Sequence, residues 1–93
     1  MTEVNVDCRP AAEGWSCAVE LVEGASSSRH AVQVSAHDLE RLDPAAAEPT
    51  ELVRRSFDFL LRRERKESIL AAFDLMLISR YFPEYETEIG RRV

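Results

Sequence analysis

Residues 3–21 read EVNVDCRPAAEGWSCAVEL. Val4, Val6 and Cys8 alternate with Glu3, Asn5 and Asp7, and Trp15, Cys17, Val19 and Leu21 alternate with Ser16, Ala18 and Glu20. A period of two with one apolar side marks half-buried strands. Pro10–Gly14 between them reads as a turn. A hairpin symmetric about residues 12 and 13 sets Val4 opposite Leu21, Val6 opposite Val19, Cys8 opposite Cys17 and Pro10 opposite Trp15. Every pair is apolar on one face, and a slip of one residue would turn them all to water.

A third alternating run follows, with His30, Val32 and Val34 set between Arg29, Ala31, Gln33 and Ser35. Gly24–Ser28 supplies the turn. The expected register puts Val19 opposite Val32 and Cys17 opposite Val34, and leaves His30 as a strand-end residue facing Leu21. The other face carries Glu3, Asn5, Asp7, Ser16, Glu20, Gln33 and Ser35 and suits water.

Past Ser35 the period changes. Ser35 and Asp38 resemble a capping box that opens a short helix through Leu42. Thr50 reads as the N-cap of a second helix, on which Val53, Phe57, Leu60 and Leu61 share one face. Leu52 and Phe59 lie off that face and form a second apolar stripe, so this helix reads as buried on two sides, by its own chain or by a partner. Ser68 is expected to cap a helix over Ile69–Phe73, Asp74 another over Leu75–Phe82, and Pro83 stops it or starts a last helix over Glu84–Arg92. The fold class is α+β, a three-stranded antiparallel meander followed by two to four helices packed on one face. All of 1–93 is one domain, with 1–35 the meander and 36–93 the helical part. A narrow sheet has two edges, and a homodimer that pairs edges or covers the Leu52/Phe59 stripe is an economical solution.

Composition narrows the function. The chain has 93 residues, 31% of them charged, with net charge −5. An acidic balance disfavours general binding to nucleic acid or anionic membrane. The charge is uneven: residues 1–50 hold nine acids and three bases, net −6, and residues 51–93 hold eight acids and nine bases, net +1. The start has no basic, apolar leader and no run approaches membrane-span length, so a cytoplasmic setting is expected. There Cys8 and Cys17 are expected to stay reduced, as small hydrophobes, although their predicted cross-strand placement permits a disulfide.

From Leu52 to Ile89 the chain resembles a group of small uncharacterised bacterial proteins. The resemblance rests on Ser56–Glu64 (SFDFLLRRE), Glu67–Leu70 (ESIL), Phe73–Leu75 (FDL) and Arg80–Tyr85 (RYFPEY). It implies a single bacterial domain and no particular chemistry. At the level of fold alone, the strand-plus-helix layout also resembles small antitoxin proteins that mask a toxin.

Candidate chemistry is sparse. Ser26–Ser28 beside His30 reads as a loop, without the elbow, oxyanion donors or orienting acid that nucleophilic catalysis needs. The cysteines with His30 and His37 match no zinc spacing. The three glycines are isolated, so there is no phosphate loop. No catalytic residue, metal or cofactor is expected, and the reading is non-enzymatic. Three partner readings remain. The first is a homodimeric protein-interaction module using Leu52, Phe59, Tyr81 and Tyr85, since aromatics anchor interfaces. The second is an antitoxin-like regulator that contacts nucleic acid through Arg54, Arg55, Arg62, Arg63 and Lys66. The third is an acidic inhibitor of a basic enzyme.

Overall fold

The computed structural model describes residues 1–90. The elements run β1 (Glu3–Ala11), β2 (Gly14–Glu23), β3 (Ser26–Ser35), α1 (Ala36–Leu42), α2 (Thr50–Leu61), a 3-10 turn (Lys66–Ser68), β4 (Ala72–Asp74), α3 (Leu77–Tyr81) and α4 (Tyr85–Ile89). The architecture is α+β.

The β1–β2 hairpin has the expected register, with Val4 opposite Leu21, Val6 opposite Val19, Cys8 opposite Cys17 and Pro10 opposite Trp15. The β2–β3 register differs by two residues: Cys17 faces Val32, Val19 faces His30 and Trp15 faces Val34. The cause is a tighter turn. Gly24 takes φ +61°, a left-handed conformation that glycine adopts freely, so the strands join through Gly24–Ala25 and β3 starts at Ser26. Ser26–Ser28 are therefore strand, not loop. His30 moves from the predicted strand end to a buried position across from Val19.

The sheet has four strands, not three, in the order β1-β2-β3-β4. β4 runs parallel to β3, with Val32 beside Phe73. Ala31 N–H donates to Ala71 C=O (2.7 Å) and Leu75 N–H to Gln33 C=O (2.9 Å). A parallel pair needs a long crossover, and α1 and α2 provide it. The expected helix over Ile69–Phe73 does not form: a 3-10 turn ends at Ser68, irregular chain follows and leads into β4, and Leu75–Phe82 shortens to α3. Ile69, Phe73 and Met76 suit a helix by spacing alone, but Leu70 is exposed here. The last helix covers Tyr85–Ile89, and the predicted end at Arg92 lies outside the described residues.

Ser35 caps α1 as expected, its hydroxyl accepting from Asp38 N–H at 3.0 Å. Thr50 is not the cap of α2; Pro49 takes that position without a side-chain bond and Thr50 donates to Glu48 instead. The core lies between the inner sheet face and α2, with Leu21, Val32, Leu52, Val53, Phe57 and Leu75 fully buried. No helix among the described residues is long and apolar enough to cross a membrane.

Cys8 and Cys17 are joined by a disulfide, against the expectation of two thiols. The strand register brings them opposite each other, and their nearness follows from that register. Disulfides persist in oxidising compartments, so this bond and the cytoplasmic expectation point to different settings.

Candidate interaction surface

The apolar stripe of α2 does not reach solvent. Leu52 is 0% and Phe59 1% exposed. The chain from the end of α3 into α4 packs on Phe59: Tyr85 lies edge-on to it at 5.3 Å between centroids, and Phe82, just after α3, does the same at 5.9 Å. Tyr85 is itself fully buried. Leu52, Phe59 and Tyr85 are therefore core residues and drop out of the predicted interface. The sequence does not show that the tail folds back over α2, so the stripe reads as unpartnered.

Tyr81 remains exposed, and it has company. Apart from Met1, the exposed large hydrophobics among the described residues are Leu70 and Tyr81. Both line one groove of about 380 Å³, whose walls include Leu60, Glu64, Phe73 and Ile78. The end of α2 forms one side, the chain after the 3-10 turn the floor, and α3 the other side. A helix over Ile69–Phe73, as the spacing predicts, does not single out Leu70; the irregular chain found there leaves its side chain exposed.

His30 anchors the floor of this groove. Its Nδ1 lies 2.6 Å from Leu70 C=O and its Nε2 2.9 Å from Ser28 Oγ. A carbonyl only accepts, so Nδ1 carries the proton and, in the neutral ring, Nε2 accepts from the serine hydroxyl. The ring packs 5.6 Å from Phe57. The imidazole thus ties β3 to the Leu70 backbone, and the Leu70 side chain is left pointing outward.

The basic residues are largely spoken for. Arg54 donates to Val4 C=O at 2.6 Å and pairs with Glu51 at 3.2 Å. Arg55 donates to Asp43 at 2.9 Å and to Ile89 C=O at 2.8 Å. Arg63 lies 3.6 Å over the Phe59 ring and pairs with Glu84 at 3.1 Å and Glu88 at 2.9 Å. The Glu84 carboxyl is held below its usual range, first by its own backbone amide and then by Arg63. Lys66 is buried and donates to Ser26 and Glu67. Arg62 is exposed and makes no ion pair or side-chain hydrogen bond with the described residues. The five bases do not form one open face, because most of them clamp α2 and the 3-10 turn to neighbouring segments.

Glu64 contrasts with them. It is half-buried against the groove, and its carboxylate makes no ion pair or hydrogen bond with the described residues. No group of metal-ligating side chains occurs among the described residues. The arrangement offers an apolar socket with one negative charge at its wall. No protein-family model, curated protein or solved structure matches the chain.

Proposed function

We propose that this protein is a small protein-interaction module whose groove between α2 and α3 receives a large apolar side chain of a partner protein. The partner carries a lysine or arginine beside that side chain, to meet Glu64. One observation carries the reading: Leu70, 48% exposed, and Tyr81, 66% exposed, stand on the same groove. Exposed apolar groups clustered around a concavity are a feature of binding sites. A carboxylate without a partner beside them favours a cation, because pairing offsets the cost of covering the charge.

The test is selection from a random peptide library on the folded protein. The expected winners place a large apolar residue next to a base. Leu70→Asp should abolish their binding, and Glu64→Lys should turn the preference toward acids. Winners without an apolar anchor, or winners indifferent to Leu70→Asp, would overturn the proposal. The nucleic-acid reading has a separate signature: binding to duplex DNA that falls steeply with salt.

A further inference from the structure

We infer that two copies of this chain associate by antiparallel pairing of β1 with β1, centred on Val6. This inference is independent of the groove. The direction of the main-chain groups decides it. Ala31 N–H and Gln33 C=O bond toward β4, so the odd-numbered residues of this part of β3 turn their main-chain groups that way. His30 and Val32 therefore turn theirs toward β2, and their partners Val19 and Cys17 turn theirs toward β3. Val6 and Cys8, opposite Val19 and Cys17, then direct N–H and C=O away from the sheet, and so does Val4. The Arg54 guanidinium bonding Val4 C=O from outside the ladder agrees with this phase.

The edge of β1 thus presents three N–H donors, at positions 4, 6 and 8. Pro10, the next outward residue, has none. A set of donors symmetric about Val6 matches a second copy of itself under a two-fold axis. Val6 pairs with Val6, and Val4 with Cys8 of the second copy, with Pro10 left outside the paired block. The Val4 carbonyl has a second lone pair, so Arg54 can stay in place.

The side chains fit the same register. On the solvent face, Glu3 comes opposite Arg9 of the second copy and Asn5 opposite Asp7, twice each. No like charges oppose each other. On the inner face, Val6 and Cys8 are only half-covered in the single chain, and their counterparts in the second copy would close over them. A shift of two residues in one direction sets Asp7 against Asp7, and in the other direction Glu3 against Asp7, both repulsive. The opposite edge, β4, is only three residues long. An eight-stranded sheet built through β1 removes the long exposed edge, which is otherwise a liability.

Sedimentation equilibrium of the full chain tests this. The expected result is a dimer of the 10.6 kDa chain. Glu3→Arg and Arg9→Glu should each weaken it on the order of tenfold, since each turns two favourable cross-strand pairs into repulsive ones. The double variant should restore it. Val6→Pro removes an outward N–H that the β1–β2 ladder does not use, so it should yield a folded monomer. A chain that is monomeric at all concentrations overturns the inference. So does a dimer that survives Val6→Pro in folded protein, or one that the single reversals leave unchanged.

Discussion

Tyr85 Oη lies 2.6 Å from Ser56 Oγ, and Ser56 in turn donates to Leu52 C=O at 2.7 Å. The serine proton is committed to the carbonyl, so the phenol is the donor to Ser56. Both residues are fully buried. This short chain of hydrogen bonds joins α4 to the inside of α2. It lets a serine sit on a helix face otherwise made of Leu52 and Phe59. Removing the phenol oxygen by Tyr85→Phe strands a buried acceptor and should cost about 1–3 kcal/mol in urea unfolding. With Ser56→Ala added, the total should be less than the sum of the two single changes.

The same phenol predicts an alkaline transition. Burial raises its pKa from 10.0 to about 12, against a smaller lowering by Ser56. The unfolded chain therefore releases this proton first as pH rises. The contribution to stability is complete below pH 10 and disappears by about 12. Two pKa units correspond to about 3 kcal/mol. Unfolding free energy measured across this range should decline for the natural chain, and Tyr85→Phe should lack this component of the decline.

The disulfide closes a short loop, with nine residues of sequence separation between Cys8 and Cys17. Loop-closure entropy for that length gives about 2–3 kcal/mol of stabilisation. Cys8→Ser/Cys17→Ser should lose roughly that amount. Alkylation of the unreduced, denatured protein should find no free thiol, because the chain has only these two cysteines.

At Gly14 a Cβ would collide with Val34 C=O and come within 2.7 Å of Ser35 Cα. Both are backbone, so neither can swing aside. Gly14→Ala should force β2 away from the end of β3 and destabilise the protein by about 1–3 kcal/mol, as overpacking does. Thermal unfolding is the readout. Gly24→Ala should be costly through its left-handed backbone and not through crowding, since no atom lies within 4 Å of a Cβ there.

His30→Leu removes the donor to Leu70 C=O and leaves that carbonyl to find another partner. A loss of about 1–3 kcal/mol is expected. Hydrogen exchange should show the segment after the 3-10 turn opening more readily in this variant than in the natural protein.

Much of the architecture was legible in the residues. The alternation of Val4, Val6 and Cys8 against Trp15–Leu21 specifies the first hairpin down to its register, because one apolar face leaves a single in-phase pairing. Ser35 with Asp38 marks the start of α1, and the Val53, Phe57, Leu60 spacing marks α2. Of the predicted interface only Tyr81 stays exposed. Leu52, Phe59 and Tyr85 failed for one reason: an apolar side chain awaiting an external partner and one covered by a distant part of its own chain have the same pattern.

Features that depend on neighbours a few residues apart follow from the residue order: strand alternation, the Ser35 cap, the main helix and the acid-rich meander. Features that depend on distant residues meeting arise when the chain closes. β4 is three residues long and carries no period, so it exists as a strand only because β3 offers open main-chain groups beside it. The arginines read as a basic face until the fold delivers Asp43, Glu84, Glu88 and Val4 C=O to them. Burial and pairing are properties of the closed chain, and no local spacing contains them.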